Sequence, residues 1–439
     1  MNELKDIFVI PLSKNRYIVY APKTKFIFLT DRKSLPNLSS YFKKLGKKQS
    51  KNLKNKVKAS TITSKQKFDN YGMTLCITTD CNLRCIYCYA SGGDRKKYMD
   101  FKIAKAAIDF GLSKIKKGGR YNLSFHGGGE PFVAFDIMKK CTEYAKEKCK
   151  KRGIRLSLSS ATNGVLSNEQ LDWIIKNKMH LNISFDGTPD IQDSQRPLAG
   201  GKPSHLFVEN TVKKLNRSKI NYGVRATITK LGVKKMDEIV DYFHKLGVKS
   251  MHFEPVFECG RCLKTKTSSP DPMIFVKNYI KAFELAEKYG MSLYYSAGTI
   301  RKFTNTFCGA AGENFFVTSD GYITSCLEVM HKDDPASKVF FYGRFDEKKG
   351  RFVIDKKRLN LLKSRTVDKI KNCQSCFSKW HCAGDCLVKS WRENGTLFKV
   401  NEKRCVINRE LVKYVLLRYI NGKPIKMKDF DLAREIEIE

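Results

Sequence analysis

The sequence predicts an α/β fold. A curled, mostly parallel sheet of six strand–helix units, open on one side, lies between a small α+β module in front and a cysteine-rich domain behind. Three observations carry this. Apolar runs of strand length alternate six times with helix-length stretches between residues 71 and 305, the pattern of a parallel sheet with helical crossovers. Such crossovers share one hand, so the sheet curls toward a barrel, and six units rather than eight leave it incomplete. Ten of the 15 cysteines fall into two fields, one directly after the first of these strands and one between residues 308 and 405.

Composition bounds the rest. A chain of 439 residues with 41% apolar content has ample material for a core of two or three domains. It has no run of 18 apolar residues, so no membrane span is expected. The N-terminal apolar stretch is too short and interrupted for a signal peptide. With so many cysteines, metal or redox chemistry in a reducing compartment, the cytoplasm, is the expectation rather than disulfides. Lys and Arg outnumber Asp and Glu 83 to 44, a formal charge of +39. Such a field attracts acidic partners, whether nucleic acid, acidic electron carriers or acidic peptides.

Residues 1–70 read as the front module. Strand-like runs at 6–12, 16–21 and 25–30 precede a short helix-like piece at 38–45. Ten lysines and no acidic residue follow between Lys43 and Lys67, which reads as a linker. Strands are then expected at 73–78, 121–125, 154–160, 180–185, 222–228 and 249–254. Helices are expected at 101–117, 134–150, 167–178, 207–219, 233–246 and 272–289. Sites of such barrels gather at the carboxyl ends of the strands, and the unusual residues fall there. Strand one is followed by Cys81-Asn-Leu-Arg-Cys85-Ile-Tyr87-Cys88, strand two by His126-Gly-Gly-Gly-Glu130, strand three by Thr162-Asn163-Gly164, and strand four by Ser184-Phe-Asp-Gly, with Arg196 nearby. A cubane iron–sulfur cluster takes four thiolates, so three close cysteines leave one iron open to a ligand.

The octet, with an aromatic residue before its third cysteine, resembles the signature of the radical S-adenosylmethionine (SAM) enzymes. That resemblance implies a partial (β/α)6 barrel of the TIM type and a [4Fe-4S] cluster on Cys81, Cys85 and Cys88. The open iron takes the amino and carboxylate groups of S-adenosylmethionine, from which a 5′-deoxyadenosyl radical forms. It assigns Tyr87, Gly128, Gly129, Glu130, Asn163, Ser184, Arg196 and Thr227 to the S-adenosylmethionine pocket.

The second field runs Cys308, Gly321-x4-Cys326, Cys373-x2-Cys376-x5-Cys382-x3-Cys386 and Cys405. A zinc ribbon is the competing reading of such pairs. The whole spacing resembles the SPASM extension of radical enzymes that act on peptides and proteins, which implies two auxiliary [4Fe-4S] clusters. Cys373, Cys376, Cys382 and Cys405 would fill the outer one. Cys308, Cys326 and Cys386 would hold the inner one, whose fourth position is open, filled from Cys259 or Cys262, or filled by water or a carboxylate. Domains are expected at 71–305 and 306–410, with a hairpin near 339–354, a C-terminal helix at 407–419 and a tail to 439.

The resemblance implies an enzyme that abstracts hydrogen from a peptide or protein substrate, giving a crosslink, thioether, epimerised or oxidised residue, with flavodoxin or ferredoxin as electron donor. The front module would bind a leader peptide or cap the barrel. The alternatives are a small-molecule substrate in cofactor or natural-product biosynthesis, anaerobic sulfatase maturation, and, outside enzymes, a nucleic-acid binder; no recognition motif supports the last. Sulfatase maturases place an aspartate base directly after the Gly-x4-Cys position. This chain has Leu327 there, and Glu328, one place later, is the candidate base.

Overall fold

The computed structural model describes residues 6–23, 26–38, 67–300, 303–422 and 433–434. All but the first residue of the expected helix at 38–45, nearly all of the lysine-rich linker and the last five residues lie outside them. Three antiparallel strands open the chain, β1 (Phe8–Pro11), β2 (Arg16–Ala21) and β3 (Phe26–Asp31). The barrel follows as β4 (Phe68–Leu75), β5 (Ile115–Phe125), β6 (Arg155–Thr162), β7 (His180–Ser184), β8 (Tyr222–Ile228), β9 (Ser250–Pro255) and β10 (Ser292–Tyr294). All seven pair in parallel, in sequence order. Strand β10, only three residues long, was too short to stand out in the apolar pattern.

The linking helices begin where local chemistry allows. Asp100 caps Phe101–Ser113, Ser167 and Gln170 form a capping box for Asn168–Lys176, and Asp271 with Pro272 starts Pro272–Lys288. The first helix stops four residues short of expectation. Its last expected turn, from Ile115, instead starts β5, because Phe68 pairs with Ile115 across a bulge. Strand β4 correspondingly begins at Phe68, directly after the expected linker and before the expected start of the barrel at 71.

The cysteine-rich segment extends the barrel sheet rather than forming a separate bead. Strand β11 (Phe316–Val317) pairs in parallel with β4, and β12 (Tyr322–Thr324), β13 (Phe341–Asp346) and β14 (Arg351–Ile354) continue antiparallel. The sheet has eleven strands in the order β10-β9-β8-β7-β6-β5-β4-β11-β12-β13-β14. One apolar core runs through both regions, joining Leu123, Ile183 and Phe253 of the barrel to Val317, Phe340 and Leu387.

The C-terminal helix runs from Glu402 to Ile420, longer than expected at its start because Asn401 caps it through the Arg404 amide. The front sheet rests on this helix. Phe8, Ile10, Ile18, Tyr20 and Ile27 pack on Val412, Val415, Leu416 and Tyr419. Tyr20 also hydrogen-bonds His381, and Lys379 pairs with Asp6 at 3.5 Å. The described part of the module is therefore seated on the C-terminal helix and the turn holding Cys382. Ala433–Arg434 pair with β3 as its second neighbour.

Candidate cofactor site and the two thiol sets

The Cys81–Cys88 loop hangs from the end of β4 and is strapped down from two sides. Leu83 bridges Leu198, the Arg84 amide donates to Pro197 O (2.8 Å), and the Ile86 amide donates to Gln195 O (2.9 Å). On the other side Arg261 donates to Cys85 O (3.0 Å), Gly92 O (2.9 Å) and Asp94 (2.5 Å), and its own amide reaches Cys88 O (2.9 Å). Gly260 makes that approach possible, for a Cβ there would meet Cys88 O and Tyr89 O at 2.4 Å.

The three thiols are mutual neighbours. Burial pushes Cys81 up to about 11 and Cys85 to about 12, with Arg196 pulling the other way. Without a cation the buried sulfurs stay protonated; iron would supply the missing positive charge. Two main-chain amides already aim at sulfur, Leu83 N at Cys81 Sγ and Gly92 N at Cys88 Sγ, both 3.4 Å. Hydrogen bonds of this kind tune thiolate-held clusters. The residues present thus fit such a group.

The glycine run lies against this loop. A Cβ on Gly129 would sit 1.9 Å from Asp80 O, so only glycine fits. Glu130 is buried, and its carboxylate accepts from Asn163 N (2.6 Å), Thr162 Oγ1 (2.8 Å) and Phe132 N (3.2 Å). Burial lifts its pKa to about 7 against those donors. Oε1 takes both Phe132 N and Thr162 Oγ1, while Oε2 takes only Asn163 N and so keeps a second lone pair free for a ligand N–H. Asn163 also donates to Asn82 Oδ1 (2.6 Å), tying the corner after β6 to the cysteine loop.

Across the mouth a buried network joins three elements. Tyr87 Oη donates to Asp186 Oδ2 (2.6 Å), Arg196 Nη1 donates to Tyr87 Oη (2.6 Å), and Gln195 Nε2 donates to Asp186 Oδ2 (2.7 Å). The Thr227 amide donates to Asp186 Oδ1 (3.0 Å). Arg196 Nε is buried with no partner among the described residues, and an unpaired buried donor of a cation is costly unless a ligand meets it. Of the eight expected pocket residues, Tyr87, Arg196 and Thr227 meet at Asp186, Glu130 and Asn163 meet beside the cysteine loop, Gly128 and Gly129 pack on Thr78 and Asp80, and Ser184 closes β7.

The second field divides into two neighbourhoods. Cys373, Cys376, Cys382 and Cys405 are mutual neighbours around the turn at 371–382 and the start of the C-terminal helix. Asn408 Nδ2 aims at Cys382 Sγ at 3.6 Å. Burial pushes Cys326 well above the thiol range; Glu328, Cys386 and Cys308 push it the same way. Cys308 is the most exposed of this trio. Among the described residues no three Cys, His, Asp or Glu side chains converge on a single-ion position.

The trio's segment abuts the first site. Leu327 and Met330 would meet a Cβ on Gly127 at 3.0 and 3.4 Å, and the partly buried Tyr89 has Cys88, Glu328 and Cys326 as neighbours.

A profile of the radical SAM superfamily matches residues 75–252. An uncharacterized Methanocaldococcus jannaschii protein is 30% identical over 256 residues, 58% of this chain and 84% of that protein. The chain belongs to the radical SAM superfamily. A cysteine-type anaerobic sulfatase-maturating enzyme of Clostridium perfringens is 22% identical over 380 residues, 78% of this chain and 95% of its own. The solved structure of anSMEcpe with bound AdoMet and Cp18Cys peptide superposes with a TM-score of 0.64 at 17% identity, covering 80% of this chain and 98% of that one. Streptococcus suis SuiB bound to precursor peptide SuiA gives 0.51 at 16% identity, covering 90% and 97%. At these identities the structures establish the fold, a partial radical SAM barrel continued by a SPASM-type extension.

The radical SAM barrel binds S-adenosylmethionine and a four-iron cluster, and the strapped loop carries three neighbouring thiols. Sequence reading passed over three residues of this region. Asp186 was visible only as part of an Asp-Gly loop; its burial among Tyr87, Gln195 and Thr227 needs the fold. Arg261 lay inside the Cys259–Cys262 pair, which was read for its thiols alone. Arg365, fully buried, donates to Leu397 O, Ala383 O and Gly384 O, with Cys373, Cys382 and Cys386 among its charge neighbours. It stands between the two auxiliary sets with no motif to mark it.

Proposed function

We propose that this radical SAM enzyme abstracts hydrogen from a peptide or protein and leaves a crosslinked, epimerised or oxidised residue. The observation that carries this is the contact between the trio's segment, residues 326–330, and the glycine run of the first site. It brings a thiol set able to take or hold a substrate group beside the place where the radical arises. When bound, S-adenosylmethionine with its cluster supplies a 5′-deoxyadenosyl radical once an electron arrives. The chain's own part is to bind, orient and exclude water. In this reading Cys81, Cys85 and Cys88 hold the first cluster. Gly128, Gly129 and Glu130 receive the amino end of the ligand, Asn163 and Ser184 line its flank, and Arg196, propped by Tyr87 and Asp186, takes a carboxylate. The Thr227 main chain borders the base. Cys308, Cys326 and Cys386 hold the inner auxiliary cluster, and Cys373, Cys376, Cys382 and Cys405 the outer one. Glu328 enters either as a base or as a cluster ligand, and its replacement gives different spectra in the two cases.

Sulfatase maturation is the second reading, favoured by the 95% coverage of the Clostridium perfringens relative. Leu327 stands where those enzymes carry their aspartate, which favours a different peptide. One experiment tests both. Protein reconstituted anaerobically should hold about eight to twelve irons with matching sulfide. It is then given S-adenosylmethionine, a reductant and either a short peptide encoded beside its gene or a cysteine-containing sulfatase peptide. Mass spectrometry in deuterated water should show from the first peptide either loss of a hydrogen pair or, for an epimerised residue, gain of one deuterium, together with 5′-deoxyadenosine. Modification of the sulfatase peptide alone selects the second reading, and 5′-deoxyadenosine with neither peptide changed rejects both.

The electron donor in this proposal is an acidic flavodoxin or ferredoxin, in keeping with the charge of +39. Raising ionic strength toward 0.5 M should slow turnover driven by such a protein several-fold. Dithionite-driven turnover should change little; equal slowing would remove the charge argument.

A further inference from the structure

The inner trio supplies three thiolates, and a four-iron cluster has four positions. Three groups compete for the fourth. Cys262 belongs to the other site, because Arg261 and Gly260 beside it are locked against Cys85, Cys88 and Gly92; Cys259 lies toward Glu328, Arg392 and Lys389, but none of the trio's thiols is among its charge neighbours. Cys262 packs with Leu83, Cys85, Tyr87 and Val256. Asn314, six residues after Cys308, has its amide committed to Ser325 O at 3.0 Å. Glu328 is placed differently. It is a charge neighbour of Cys308, Cys326 and Cys386 alike. Its Oε2 is cut off from solvent and has no partner among the described residues. Its main-chain oxygen accepts from Arg392 Nη2 (3.0 Å), and Arg392 is held in turn by both oxygens of Asp334 (2.6 and 3.2 Å). This anchor fixes the backbone that carries the carboxylate. A dry carboxylate oxygen without a donor calls for a cation, and carboxylate is an ordinary hard ligand for iron.

We propose that the Glu328 carboxylate is the fourth ligand of the inner set, completing Cys308, Cys326 and Cys386 around one auxiliary cluster. The assignment rests on reading those three thiols as cluster ligands. It gives the inner cluster one exchangeable iron that faces the radical site, with oxygen rather than sulfur on it. A substrate thiolate or amide would bind there by displacing Glu328, without loss of a structural cysteine.

The test uses full-length protein in which Cys81, Cys85 and Cys88 are all alanine, so that only auxiliary clusters remain. The protein is grown with 13C-glutamate, reduced, and measured by electron–nuclear double resonance. A 13C coupling on the cluster signal is expected, and it should vanish in Glu328→Gln. Mild ferricyanide oxidation should convert the Glu328→Gln cluster to a three-iron species about tenfold faster. Glu328→Cys, which offers a fourth thiolate, should restore resistance. A cluster signal with no carbon coupling, or one unchanged in Glu328→Gln, overturns the ligand assignment, and if turnover is nevertheless lost in Glu328→Gln made with Cys81, Cys85 and Cys88 intact, Glu328 is the base. Glu328→Cys as labile as Glu328→Gln also overturns it. Loss of the inner-cluster signal in Cys326→Ala with Glu328 intact checks the underlying thiol assignment separately; its survival removes that premise.

Discussion

Replacing Arg404 with methionine is expected to destabilise the protein by about 3–5 kcal/mol. Arg404 Nη1 donates to Glu254 Oε1 (2.8 Å), and its Nε and Nη2 donate to Asp385 (2.5 and 3.1 Å). All three residues are buried. Methionine fills most of the space beside the Tyr295 ring that the guanidinium covers, but leaves Asp385 without its ion pair and Glu254 with His252 as its sole ion-pair partner among the described residues. Glu254 ends β9 of the barrel, Asp385 adjoins Cys386 and Arg404 adjoins Cys405, so the loss falls on the joint between barrel and thiol sets. Guanidinium unfolding of the anaerobic protein measures it, and a difference below about 1 kcal/mol would show that the triad carries no net weight.

The same variant has a pH signature. Burial alone pushes the Glu254 carboxyl up, but Arg404 and His252 hold it well below its ordinary value of 4.5. A carboxyl depressed in the folded state contributes stability above its unfolded pKa and loses it as pH falls toward the folded one. The gap between wild type and Arg404→Met should therefore be full at pH 7 and narrow below about pH 4.5. A gap independent of pH would point to lost packing instead of lost pairing.

Gly129→Ala is expected to lower S-adenosylmethionine cleavage at least about 100-fold. The added methyl would stand 1.9 Å from Asp80 O and 2.6 Å from the Thr79 carbonyl carbon. Both obstacles are backbone, so relief requires moving the strand end that launches the cysteine loop. The Gly129 and Glu130 amides, which donate to Thr78 O (3.0 Å) and Asp80 O (2.8 Å), would be displaced with it. Auxiliary-cluster iron should remain while the first cluster is depleted. Gly200→Ala, with nothing within 4 Å of its Cβ, is the control and should behave as wild type. Cleavage within about threefold of wild type in Gly129→Ala would show that the loops adjust freely.

The order of strands and helices was legible because each barrel unit repeats the same apolar pattern. The octet was legible because ligand spacing on one loop is a local property. Where reading failed, a partner was distant. The first helix ends early because Ile115 pairs with Phe68. Arg261, between Cys259 and Cys262, went unread, yet it proves to be the clamp on the Cys81–Cys88 loop. Asp186 and Arg365 carry no motif, and they matter only because of what surrounds them.

By itself the sequence determined the alternation of strands and helices, the strand-end positions of the unusual residues and the three sets of thiols. These follow from side-chain period and from spacing along a few residues. Only the tertiary structure decided that the thiol field continues the barrel sheet through β11, and that the front sheet sits on the C-terminal helix. Only it decided that Glu328 is a charge neighbour of Cys308, Cys326 and Cys386. Those facts join residues dozens to hundreds of positions apart. Such contacts arise from burying shared apolar surface and pairing buried charge, which no local pattern encodes.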